Sequence, residues 1–165
     1  VKKFRCEDPN LATAEMGPLI SKKQFDVVES YLDEKIAFQG SAPSGPGYWM
    51  PPTVLLPKNA QAKSWREEIF GPVVSILTFE DEAEGIKMAN DSEYGLSGSI
   101  WTRDVGKALR VSRAIESGAL SVNSNSSVRF WTPFGGFKQS GLGRGLGPDA
   151  VDSYTELKNV FISND

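Results

Sequence analysis

Between Val73 and Asn123 the chain alternates between β-rich and helical segments, and this alternation leaves few folds open. Val73 to Phe79 is rich in strand formers, Asp81 is placed to cap a short helix carrying Ala83, Ile86 and Ala89, and Gly98 to Thr102 reads as extended. Asp104 to Ser117 sets Val105, Ala108, Leu109 and Ile115 at helical spacing, and Ala119 to Asn123 is extended again. A βαβαβ run of this kind predicts parallel strands joined by right-handed crossovers. The expected class is therefore α/β, with a mostly parallel sheet and flanking helices. Gly118 suits the position just past a helix end, where a left-handed backbone is needed.

The flanking segments fit the same plan. Ser21 followed three residues later by Gln24 is a capping-box pattern, and Ile20 with Phe25 can form the accompanying hydrophobic staple, so a helix begins there. Its Phe25, Val28 and Leu32 share one face, which predicts packing on a sheet. Ile36 to Gly40 reads as a strand, and Ser41 to Gly47 as a loop. Tyr48 to Met50 and Thr53 to Leu56 look extended; Pro51 and Pro52 between them exclude a helix and disfavour a central place in a sheet. Glycines at 141, 143, 145 and 147 precede a predicted helix near Pro148 to Tyr154, and Leu157 to Ile162 reads as a closing strand.

A βαβαβ run invites comparison with mononucleotide-binding folds, but the local chemistry speaks against an independent phosphate cradle. Such cradles use a glycine-rich turn that aims backbone N–H groups and a helix N-terminus at the anion. Here the corresponding turn is Phe79-Glu80-Asp81-Glu82, whose carboxylates repel one. The later glycines alternate and match neither G-x-G-x-x-G nor G-x-x-x-x-G-K-[ST]. The chain has 165 residues and a formal charge of −3, a balance that argues against sequence-independent nucleic-acid binding. A single cysteine excludes an internal disulfide, and the lack of histidine removes a Ser-His-Asp triad, a histidine-ligated zinc site and an imidazole base. No metal site is expected. Neither a membrane span nor a signal-peptide pattern is present, which predicts a cytoplasmic protein without a membrane partner.

Short motifs then narrow the reading. Glu67-Glu68-Ile69-Phe70-Gly71-Pro72-Val73 is followed downstream by Tyr94-Gly95-Leu96, Trp101-Thr102, Val122-Asn123, Pro133-Phe134-Gly135-Gly136-Phe137-Lys138 and Tyr154-Thr155-Glu156-Leu157-Lys158. With Met16-Gly17-Pro18-Leu19-Ile20-Ser21 ahead of them, these strings resemble, in order and over almost the whole chain, the C-terminal half of the NAD(P)-dependent aldehyde dehydrogenase superfamily. The resemblance implies an enzyme that oxidises an aldehyde to a carboxylic acid with NAD or NADP as hydride acceptor. It also implies that the chain holds no catalytic residue of its own, because the family's nucleophilic cysteine lies in a different motif upstream. Residues 1–147 correspond to the C-terminal portion of the catalytic domain, and 148–165 to a C-terminal helix and an oligomerisation strand. Val1 in place of Met, and an opening Val1-Lys2-Lys3-Phe4-Arg5 that reads like a helix end, suggest a piece of a longer protein. Its partners would be the missing N-terminal part, an aldehyde substrate and further copies in a dimer or tetramer.

By the same resemblance Glu68 accepts hydrogen bonds from the nicotinamide ribose hydroxyls, and Phe70 packs beside the nicotinamide. A carboxylate has two acceptor oxygens suited to a vicinal diol, and an aromatic side chain offers a flat ring a packing surface. The plain alternative is that Glu67 and Glu68 form a solvated acidic pair before a turn. Leu96 matches a cofactor-contacting position, against which stands an ordinary core leucine at a strand entrance. Asn123 and the loop through Val128, Arg129, Phe130 and Trp131 correspond to the wall of the family's aldehyde tunnel, and Phe134 to an aromatic at its inner end. Phe130, Trp131 and Phe134 could equally be core or subunit-contact aromatics. Arg129 could meet an anionic substrate group or simply be solvated.

Two positions stand apart. Gly145 occupies a place where family members commonly carry an acid that has been suggested to assist proton movement; a structural acid at a helix N-terminus is the alternative, worth up to about 1 kcal/mol. Cys6 sits between Arg5, which would lower its pKa, and Glu7, which would raise it, and is expected to be an ordinary thiol. A non-catalytic interaction module retaining the dehydrogenase scaffold is the rival from another functional class.

Overall fold

The computed structural model describes Val1 and residues 3–165, which divide into two compact units, Val1–Thr78 and Phe79–Asp165. The opening pentapeptide read as a helix end includes Lys2, which lies outside the described residues.

In the first unit the helix α1 (Lys22–Glu29) starts where the capping pattern places it: Ser21 Oγ accepts from the Gln24 backbone N–H at 3.2 Å. Half of the expected box is redirected, since the Gln24 side chain donates instead to the Ile69 and Phe70 carbonyls, at 3.3 and 3.0 Å. The staple does not form: Ile20 is 91% exposed, whereas Phe25 packs against the core of Val28, Tyr31, Met50 and Ile69. Val28 is fully buried, a gain of about 1.5–3 kcal/mol for such a side chain. Strands β1 (Ile36–Gln39), β2 (Thr53–Leu55) and, after the short helix α2 (Lys63–Arg66), β3 (Val73–Ser75) form a sheet in the order β1-β2-β3. β2 is antiparallel to β1 and parallel to β3. Contrary to the expectation from Pro51 and Pro52, β2 is the central strand and wholly buried. The prolines end just before the ladder begins, so no strand N–H is lost; Thr53 N donates to Pro72 O, and the Pro52 carbonyl accepts from Gly40 N.

In the second unit α3 (Glu82–Asn90) is capped by Asp81, which accepts from Glu84 N at 2.8 Å. β4 (Tyr94–Gly95) and β5 (Ser97–Ile100) follow, then α4 (Val105–Ala114), capped by Asp104, and β6 (Ala119–Val122). β5 and β6 pair parallel in the expected βαβ manner, while β3, the first strand of the predicted run, pairs with β2. β7 (Phe137–Lys138) adds antiparallel to β4, so parallel and antiparallel pairings share the α/β fold. Arg110 and Glu82 join α4 to α3 through two hydrogen bonds of 3.1 and 3.0 Å. Gly118 is not left-handed as expected. It is needed for a different reason: a Cβ there would run into the Gly135 carbonyl oxygen.

Pro148–Tyr154 is helical, of the 3-10 type, as placed from the sequence. The strand expected at Leu157 to Ile162 is absent. That segment pairs with no strand of the described residues and is exposed, so its backbone groups are left to solvent.

Candidate functional site

The acidic motif is shaped from below. After α2 the backbone becomes extended at Glu67. Glu67 is exposed, yet its carboxylate accepts a 2.8 Å hydrogen bond from the Tyr31 hydroxyl, and Ile69 is buried in the core beside Val28. Glu68 and Phe70 turn outward. Glu68 is exposed and makes no hydrogen bond among the described residues, and the Phe70 ring is 72% exposed. Two adjacent glutamates indistinguishable by composition are thus separated by structure: one is bonded to Tyr31, the other is available to a ligand.

Phe70 also has φ = 51°, a left-handed backbone that costs a non-glycine residue roughly 1–2 kcal/mol. Two neighbours impose it. Gly71 packs so tightly on Val28 that a Cβ would lie 2.5 Å from Val28 Cγ2, and Gln24 Nε2 ties down the carbonyls of both Ile69 and Phe70. The chain is pinned on either side of Phe70, so the ring has no course but outward. Strained backbone of this kind clusters at ligand and active sites of proteins in general, which makes Phe70 a candidate. The exposed carboxylate and ring suit the acceptor and flat packing surface that a nicotinamide riboside needs.

In the second unit Leu96 and Phe134 line one cavity of about 370 Å³, together with Leu142, Gly145, Ala150 and Tyr154. Leu96 is 42% exposed and so is not the core leucine of the plain reading. Phe134 is held by a reciprocal pair of 2.8 Å backbone hydrogen bonds with Gly145. Arg144 braces the same turn, donating from Nη1 to the Gly136 and Gly143 carbonyls and lying 5.4 Å from the centroid of the Phe137 ring. Val128 and Trp131 do not line this cavity; both project into solvent, as does Phe130, so none of the three is a core aromatic or aliphatic of this unit. A second cavity, about 440 Å³, follows β6 and the loop beyond it, lined by Ser124, Arg129 and Thr132 among others.

Asn123, the last residue before that loop, also has positive φ, 53°. Its amide accepts from Thr102 N and donates to Thr102 O, both at 2.9 Å, locking the ends of β5 and β6 together. Cys6 is buried, and burial together with Glu7 pushes its thiol pKa up, which disfavours the thiolate a nucleophile requires. Among the described residues no group of three or more His, Cys, Asp or Glu is placed to hold a metal, and no helix is long and apolar enough to cross a membrane.

Sequence reasoning missed Gln24 and Arg144. Gln24 carries only a local signal, as half of a capping box. Arg144 carried none, because a lone arginine among glycines looks like any solvated side chain.

The aldehyde dehydrogenase family profile matches residues 1–160. An aldehyde dehydrogenase of Emericella nidulans is 42% identical over 150 residues, covering 87% of this chain and 30% of that protein. Retinaldehyde dehydrogenase 3 of Rattus norvegicus is also 42% identical, over 99% of this chain and 33% of its own length. Among solved structures, Mycobacterium tuberculosis aldehyde dehydrogenase complexed with NAD+ superposes with a TM-score of 0.87 at 37% identity, covering 93% of this chain and 33% of the other. The chain thus spans about a third of the length of the relatives it matches. The α/β architecture, the ordered motifs and these matches agree: the chain belongs to the aldehyde dehydrogenase family.

Proposed function

We propose that this chain is the C-terminal portion of an enzyme that oxidises an aldehyde to a carboxylic acid with NAD or NADP, and that it is inactive alone. The observation that carries the reading is the family match across nearly the whole chain, at identities of 42% to individual dehydrogenases. When bound, the cofactor supplies the hydride acceptor. Glu68 receives the ribose hydroxyls on its two carboxylate oxygens, and Phe70 and Leu96 form apolar walls for the nicotinamide. Phe134, Val128 and Trp131 line the aldehyde path, loops on a fixed scaffold being the usual place for specificity. No residue here acts as nucleophile or general base; these belong to upstream polypeptide that also carries the nucleotide-binding domain.

Residues 1–147 complete the catalytic domain, and 148–165 serve as a helix and oligomerisation arm of a cytoplasmic dimer or tetramer. The exposed tail supports this, since Leu157, Val160, Phe161 and Ile162 are left largely in solvent by the described residues. The test is to mix the full-length protein with NAD+ and a simple aldehyde and follow reduced nicotinamide. Turnover by the full-length enzyme, none by the isolated 165 residues, and cofactor binding weakened by roughly tenfold or more in Glu68→Gln are the expected results. A full-length protein that turns over no aldehyde, or a fragment that does, overturns the reading.

A further inference from the structure

We infer that the full-length enzyme acts on aldehydes bearing a second, anionic group at the far end, and that Arg129 recognises that group. The inference rests on the dehydrogenase reading and names its substrate class.

The first observation is charge. The chain is acidic overall, at −3, yet residues 117–148 contain Arg129, Lys138 and Arg144 and not one Asp or Glu. Two of these cations are committed. Lys138 pairs with Glu116 at 2.8 Å and donates to the Asn90 and Ser92 carbonyls, and Arg144 is stacked on Phe137 while holding two loop carbonyls.

Arg129 differs. Its Nη1 donates to Ser126 Oγ and the Val128 carbonyl, both at 2.8 Å, so one nitrogen fixes the guanidinium against its own loop. The Nε and Nη2 edge has no acceptor among the described residues, and Arg129 has no ion pair there. That edge is the side-on fork with which a guanidinium engages an oxyanion through two parallel hydrogen bonds. An arginine pre-set by one nitrogen loses less freedom when the other two bind.

The surroundings fit an anion as well. Arg129 lines the cavity along β6 together with the hydroxyl-bearing Ser124, Ser127 and Thr132, and no carboxylate lines it. The cavity continues past the carboxyl end of β6, a strand of the parallel pair, which is where open α/β sheets bind ligands. A neutral aliphatic aldehyde would leave the fork and the hydroxyls unmatched; a carboxylate or phosphate satisfies them.

The test compares succinic semialdehyde with its neutral methyl ester on the full-length enzyme, wild type and Arg129→Met. Wild type should favour the acid, and Arg129→Met should lower the acid-over-ester ratio of kcat/KM by at least roughly tenfold, mainly through KM. Arg129→Lys, which keeps the charge and loses the fork, should fall between. Glycolaldehyde phosphate in place of the acid distinguishes a phosphate from a carboxylate, and an Arg129-dependent preference for either supports the inference. Arg129 is exposed and bonded only within its loop, so melting curves of the variants should match wild type. An acid-over-ester ratio unchanged in Arg129→Met overturns the inference and leaves the dehydrogenase reading intact. A protein that oxidises a simple aldehyde but neither of these two also overturns the inference alone; one that oxidises no aldehyde overturns both.

Discussion

Gly71 lies directly against Val28: a methyl group added to the glycine would sit 2.5 Å from one Val28 methyl and 2.8 Å from the other. Val28 is fully buried at the centre of the first unit's core and has nowhere to retreat. Gly71→Ala should therefore destabilise the protein by about 1–3 kcal/mol, the usual cost of forcing extra volume into a packed core. Urea or thermal unfolding of the full-length protein measures it. The same displacement shifts the neighbouring Phe70, so NAD affinity should drop alongside.

Phe70→Gly should do the reverse to stability. Glycine accepts a φ of 51° without penalty, and the lost ring is 72% exposed, so the variant should melt at or above wild type while NAD binds less tightly. Relief of strain of about 1 kcal/mol is offset in part by the greater freedom of glycine in the unfolded chain. A melting temperature well below wild type would show that the ring supports the fold and is no ligand surface.

Much of the fold was legible because it follows from local chemistry. Ser21 and Asp81 each precede an amphipathic segment and cap the helix they announce, and the helix read from Asp104 is capped by Asp104 itself. The parallel β5–β6 pairing followed from the alternation. What escaped depends on contacts between distant residues. Gln24 reaches Ile69 and Phe70 across more than forty positions, and Gly118 serves a close approach to Gly135 instead of a helix end. Only a three-dimensional arrangement distinguishes Glu68, which faces solvent, from Glu67, which bonds to Tyr31. Leu96 and Phe134, far apart in the motifs, come to line one cavity, whereas Val128 and Trp131 lie outside it.

Glu82 provides a pH-dependent prediction. The hydrogen bonds from Arg110 hold its carboxyl below the ordinary carboxylate value, with the charges of Arg110 and Lys107 acting in the same direction. A group whose pKa is lower folded than unfolded stabilises the fold above its unfolded value, and that contribution is lost as pH falls through the folded value. Glu82→Gln should therefore lower stability at neutral pH and make no difference once the pH is below the folded pKa. The effect should be small and weakened by salt, since the pair is on the surface. Urea unfolding at the two pH values checks it.

Gly145→Glu should be well tolerated. A Cβ there meets only the Phe134 carbonyl, at 4.0 Å, and the backbone is not left-handed, so stability should change by no more than about 0.5 kcal/mol. The new carboxylate would border the cavity that Leu96 and Phe134 line, and the pH–rate profile of the full-length enzyme should gain an ionisation. An unchanged profile would mark position 145 as remote from proton transfer.

The Asn123 amide, bonded twice to the backbone of Thr102, has a consequence for how such a protein can diversify. It works as a selvedge, the finished border that keeps woven cloth from fraying. Residues beyond it can lengthen, shorten or change character while β5 and β6 stay in register, so that loop is free to vary without reopening the problem of folding.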